Sequence, residues 1–87
     1  MKEVFKIKSS TDVNKLAGAI AGAVREGAEV ELQTIGAGAV NQAVKATIVA
    51  KSFLAAGGID IVLSPTFLDL KIDGAKRTVI NMKVIKA

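Results

Sequence analysis

The stretch from Ala39 to Ala56 is apolar on nearly every side, and this restricts what the rest of the chain can be. Val40, Ala43, Val44, Ala46, Ile48, Val49, Ala50, Phe53 and Leu54 leave only a thin polar stripe. Asn41, Gln42 and Lys45 lie near its start and Lys51-Ser52 near its end. Good helix formers dominate and Gly57-Gly58 closes the segment, so the spacing predicts a helix. A helix covering one face of a single sheet should show one side to water, and this one has little to show. The surplus apolar side predicts a contact with a second copy, in a dimer or a higher homo-oligomer. No segment reaches roughly 18 consecutive apolar residues, so no membrane-spanning helix is expected.

The flanking residues supply the layer that such a helix needs. From Glu3 to Lys8, Phe5 and Ile7 point one way while Val4, Lys6 and Lys8 point the other, the period of a half-buried strand. Ser9-Ser10-Thr11-Asp12 offers N-cap chemistry to a helix whose apolar stripe is Val13, Leu16, Ala17, Ile20, Ala21 and Val24. Gly27 stands where a left-handed residue would end that helix. Gly18 and Gly22 share one of its faces, and close approach of another backbone is the expected reason for them. Ala28 to Ile35 alternates again, with Val30 and Leu32 inward and Glu29, Glu31 and Gln33 outward. A strand, a helix and a strand in that order predict a right-handed parallel pair. Ile59 to Leu63 is a dense strand-forming run, and Pro65 then implies a bulge, a break or an edge position. Phe67 to Ile72 leads into Asp73-Gly74, a two-residue hairpin turn, and Arg77 to Ile85 forms the last strand. In it Ile80, Met82 and Val84 share one face, and Arg77, Val79, Asn81 and Lys83 the other. The expected fold is an α/β two-layer sandwich in the order β-α-β-α-β-β, a mixed four-stranded sheet with two helices on one face. With 87 residues it forms a single domain, 1–87, because either half alone would be too small to bury a core.

Composition excludes much chemistry. The chain has neither cysteine nor histidine, which removes disulfides, thiol catalysis, serine–histidine pairs and the usual zinc ligands. Asp60, Asp69 and Asp73 occur singly, so neither an acid–base pair nor an oxygen-only metal site is indicated. No enzyme, metal or cofactor is expected. Aromatic residues make up only 3%, with no tryptophan or tyrosine, which argues against base stacking. The N-terminus alternates charged and apolar residues instead of forming a secretory signal, so a cytoplasmic location is expected. A net charge of +4 is compatible with nucleic acid. Glu26, Glu29 and Glu31 cluster mid-chain, while Lys6, Lys8, Lys71, Lys76, Arg77, Lys83 and Lys86 lie towards the ends. If the terminal strands adjoin, one edge of the molecule is positive and another acidic.

The most unusual segment is Ile35-Gly36-Ala37-Gly38-Ala39-Val40-Asn41-Gln42-Ala43-Val44-Lys45. Two glycines carry a strand into a helix start, leaving backbone amides uncovered where free N–H groups and the helix dipole favour an anion. Gly36, Ala37, Gly38, Asn41 and Lys45 therefore form a candidate phosphate-contacting loop. The structural alternative is a tight turn with positive φ at Gly36 or Gly38, with Asn41 and Gln42 bonding locally. A dinucleotide fingerprint is rejected: asparagine stands at the third glycine, and that fold needs a longer chain. Lys8 with Ser9 and Ser10 forms a second candidate patch, although capping would explain the serines. A third is the hairpin arm carrying Lys71, Lys76 and Arg77, diluted by Asp69 and Asp73.

Three segments carry a family resemblance: Leu16-Ala17-Gly18-Ala19-Ile20-Ala21-Gly22, Gln33 through Ala46, and Ile72-Asp73-Gly74. On these the chain resembles the stage V sporulation protein S family, small bacterial proteins associated with sporulation and its regulation. That family is in turn similar to the Alba-like fold, whose members bind DNA or RNA, usually as dimers. The resemblance implies nucleic-acid contacts at the entrance to the first helix, in the loop before the second, and on the hairpin arms. By position these are Lys8, Ser9 and Ser10; Gly36 through Asn41 with Lys45; and Lys71, Lys76 and Arg77. Alba-type proteins have a more basic first site and a longer hairpin than this one. The leading expectation is a small oligomeric nucleic-acid-binding regulator that grips phosphates. An interaction module built on the second helix without nucleic acid, and a site for a small phosphorylated metabolite at Gly36 to Asn41, are the alternatives.

Overall fold

The computed structural model describes residues 1–87. Along the chain come β1 (Lys2–Ile7), α1 (Val13–Arg25), β2 (Glu29–Thr34), α2 (Ala37–Ala55), β3 (Ile61–Ile72) and β4 (Ala75–Lys86). The four strands form one open sheet in the order β1-β2-β4-β3. β1 and β2 are parallel, whereas β4 runs antiparallel to both β2 and β3. The expected α/β sandwich with its mixed sheet is therefore present.

Alternation decides which side of each strand is buried. Ile7 of β1, Val30 and Leu32 of β2, Ile61 of β3 and Met82 of β4 join Leu16, Ile20 and Val24 of α1 and Ala39, Ala43, Ala46, Ala50 and Leu54 of α2 in one core. The four alanines on the inner side of α2 allow the helix to lie close to its neighbours. α1 ends as expected: Gly27 has φ 78°, its amide donates to Val24 O, and the Ala28 amide donates to Ala23 O.

Of the bulge, break or edge position that Pro65 implied, the edge position holds. β3 is a single run at the sheet edge, and Pro65 pairs with Met82 in unbroken register. Asp73 and Gly74 both have positive φ, 51° and 79°, as a tight primed turn requires. Gly18 and Gly22 meet no backbone: an added Cβ at either finds nothing within 4 Å. Val79 and Asn81 point away from the helices yet are buried, because they occupy an inner strand flanked by neighbouring side chains. The terminal strands do not adjoin, since β2 lies between β1 and β4. Glu31 thus sits beside Val4 on one side and Lys83 on the other, and the charges interleave instead of forming opposite edges.

Candidate functional site

Because β1 and β2 are parallel and in register at Ile7 and Thr34, their exits into α1 and α2 leave the same end of the sheet side by side. The Ile35 amide donating to Ile7 O at 3.1 Å holds the two exits together. In the first exit the cap is Asp12, whose Oδ1 accepts from the Lys15 amide at 2.9 Å. Thr11 Oγ1 accepts from the Lys8 amide at 2.9 Å. The Ser9 and Ser10 hydroxyls, expected to cap, take no part: both side chains are exposed at the turn and make no hydrogen bond within the chain.

In the second exit Gly36 is the N-cap of α2, at φ 94° and ψ 161°, a conformation that strains any residue with a Cβ. No side chain caps this helix. Gly36 O accepts from the amides of Ala39 and Val40, while the amides of Ala37 and Gly38 have no partner in the protein. The two exits touch. A Cβ on Gly38 would lie 2.8 Å from Ser9 Cβ, so glycine there is what lets the loops meet. Gln42, which the structural alternative has bonding locally, reaches across instead, its Nε2 donating to Thr11 O at 2.9 Å. Lys8, Ser9, Ser10, Gly36, Ala37 and Gly38 thereby form one surface. Asn41 and Lys45, one turn apart on α2, are both exposed, and Lys45 makes no ion pair.

The third group divides. β2 ends opposite Ile80, so the hairpin from Ile72 to Ala75 projects past the same end of the sheet. Lys71 faces Lys76 across the ribbon, on the side shared with Phe67, Asp69, Thr78 and Ile80. Arg77 pairs with Leu70 on the opposite side. Asp69 engages Lys76 Nζ at 3.5 Å and accepts from Thr78 Oγ1 at 2.8 Å, so Lys71 is the arm's unpaired cation on that side.

Two features lay outside the expectations. Phe67 is 81% exposed and stands over a concavity of about 300 Å³ bordered by Gly36, Ala37, Val40, Thr78 and Ile80. Its phase in the sequence gave no sign of this, since it alternates with Pro65 and Leu63 towards the face on which Ile61 is buried. On the helix-free face, Lys2 Nζ lies 2.8 Å from Glu31 Oε2, and Glu31 Oε1 accepts from Asn81 Nδ2 at 2.9 Å. The hydrogen bonds from Lys2 and Asn81 hold the Glu31 carboxyl below its usual range, and the bond to Glu31 raises the Lys2 ammonium. Asn81 Oδ1 is left buried without a partner. On the far side, Lys51 at 3.1 Å and the Ile61 amide lower the Asp60 carboxyl. Nowhere do three acidic side chains converge as a metal site would require.

The class so defined is a small open-faced α/β sandwich whose hydroxyl-rich loop, bare helix start and charged hairpin gather at one end of the sheet. The family model for Stage V sporulation protein S (SpoVS) matches residues 3–87, and the chain belongs to that family. It is thus a small member of a sporulation-related family. No helix is long and apolar enough to cross a membrane.

Proposed function

We propose that this protein binds nucleic acid through its phosphate backbone. The observation that carries the reading is the joined surface of Ser9, Ser10 and the partnerless amides of Ala37 and Gly38, with Lys8 exposed on the first connection and Lys45 exposed further along α2. Amides at a helix start and unpaired ammonium groups both favour phosphate oxygens. Lys71 extends the grip along the hairpin. With only Arg25 and Arg77 as arginines, the contacts suit backbone rather than base edges.

The test is binding of labelled DNA and RNA across salt. If Lys8, Lys45 and Lys71 each neutralise a phosphate, duplex affinity falls roughly 40-fold between 50 and 200 mM salt. Lys45→Glu shallows that slope. A flat salt response, or no binding at low salt, overturns the reading.

A second copy docking on α2 is the companion proposal. Ile48 is 61% exposed and Val44 40%, one turn apart, whereas Ala43 is fully buried in the protomer's own core. Val44→Asp shifts the assembly to monomers in sedimentation if this stripe is the contact. If Val44→Asp abolishes the cellular role and Lys45→Glu spares it, assembly without nucleic acid is the function.

A further inference from the structure

We infer that Phe67 is a stacking platform for an unpaired nucleobase, so that the polymer gripped here is single-stranded; the inference rests on the nucleic-acid reading above. α1 and α2 pack over β1 and β2, leaving the outer half of the β3–β4 ribbon uncovered on the helix side. There Phe67 stands 81% exposed. It is flanked by two concavities, about 300 Å³ towards Gly36, Ala37 and Val40 and about 260 Å³ towards Pro65 and Thr66, with Ile80 in the floor of both. Space of this size beside a phenyl ring accommodates a flat heterocycle.

The surroundings select the occupant by charge. On one side of the ring lie the partnerless amides at the start of α2. On the other, four residues along the same face of β3 and roughly 13 Å away, lies the unpaired Lys71. Asp69, between them, is engaged by Lys76 and Thr78. An apolar platform bracketed by phosphate-seeking donors matches a chain that alternates flat bases with anionic phosphates. A duplex keeps its base faces stacked on one another and has none free for the ring, whereas single strands stack on exposed rings regardless of sequence. Low aromatic content argued against stacking, but one well-placed ring is sufficient for one base.

The experiment compares fluorescein-labelled oligo(dT), oligo(U) and a duplex of equal length on the full chain and on Phe67→Ala and Phe67→Trp. The wild-type protein should prefer a single strand. Phe67→Ala should weaken oligo(dT), oligo(U) or both at least about fivefold while leaving duplex binding unchanged. Phe67→Trp should retain single-strand binding, and its indole, alone in a chain with no other tryptophan, should be quenched by the oligonucleotide. The relative losses for oligo(dT) and oligo(U) identify the natural source of the base. Equal loss for duplex and single strand, no loss at all, or conversion of the assembly to monomers by Phe67→Ala would overturn the inference. Salt-dependent binding indifferent to Phe67 sinks this inference alone. No binding of any nucleic acid at low salt sinks the proposed function with it.

Discussion

Replacing Gly38 with alanine tests whether the two helix entrances are one surface. The added Cβ would come to 2.8 Å from Ser9 Cβ and 3.5 Å from Ser9 Cα. These atoms belong to or adjoin the backbone, so the clash cannot be relieved by rotating a flexible side-chain end. The Lys8–Asp12 loop, tied by Thr11 to Lys8 and by Gln42 to Thr11, must move instead. Overpacking of this kind costs about 1–3 kcal/mol. Alanine recovers up to about 1 kcal/mol as a helix former, and less in a first turn. The net loss is about 1–2 kcal/mol, which for a domain of this size lowers Tm by about 4–16 °C. Thermal unfolding followed by far-UV circular dichroism reads it directly. Ser9→Gly removes the opposing Cβ, so in the double mutant most of the loss should disappear, giving a coupling of about 1 kcal/mol or more in the cycle. Additive effects, or a Gly38→Ala protein as stable as the parent, would refute the claim that this contact joins the loops.

The other glycine pair should behave in the opposite way. Gly18→Ala and Gly22→Ala in α1 have open space for the new methyl, so each should stabilise by up to about 1 kcal/mol, with Tm rising accordingly. A fall in Tm, or a changed oligomeric state, would mean that a neighbour packs there after all. Glu31→Gln probes the β1–β2–β4 polar link. With its folded-state pKa lowered, Glu31 contributes stability above the ordinary carboxylate range that is lost as pH falls through the folded value. Lys2, raised, contributes below the ordinary lysine value and loses that contribution as pH rises through the folded one. The link is therefore fully present between roughly pH 4.3 and 10.4. Tm measured against pH should fall less steeply on the acid side for Glu31→Gln than for the parent. Parallel acid limbs would show that the ion pair contributes nothing measurable.

The elements were readable because their signals are local. The period of two in Phe5–Ile7 and Val30–Leu32, the helical stripe of α1, and Asp73-Gly74 each reflect a residue's relation to near neighbours, and physics at that range fixes strand, helix and turn. The bare amides after Gly36 were legible for the same reason. Partnering was less so. Ser9 and Ser10 looked like caps because hydroxyls suit that role, yet Asp12 took it, a competition among adjacent residues that composition does not rank.

Strand order, and with it the meeting of distant side chains, belonged to the tertiary structure alone. That β2 lies between β1 and β4 decides that Lys2 meets Glu31 and Asn81, and no local pattern distinguishes this order from one with adjoining terminal strands. The approach of Ser9 to Gly38 depends on two chain exits converging from strands far apart in sequence. Phe67 is bare because the helix layer covers β1 and β2 and stops short of the outer ribbon. A β-strand phenylalanine has the same local signature whether a helix lies over it or water does, so only the placement of α2 could decide.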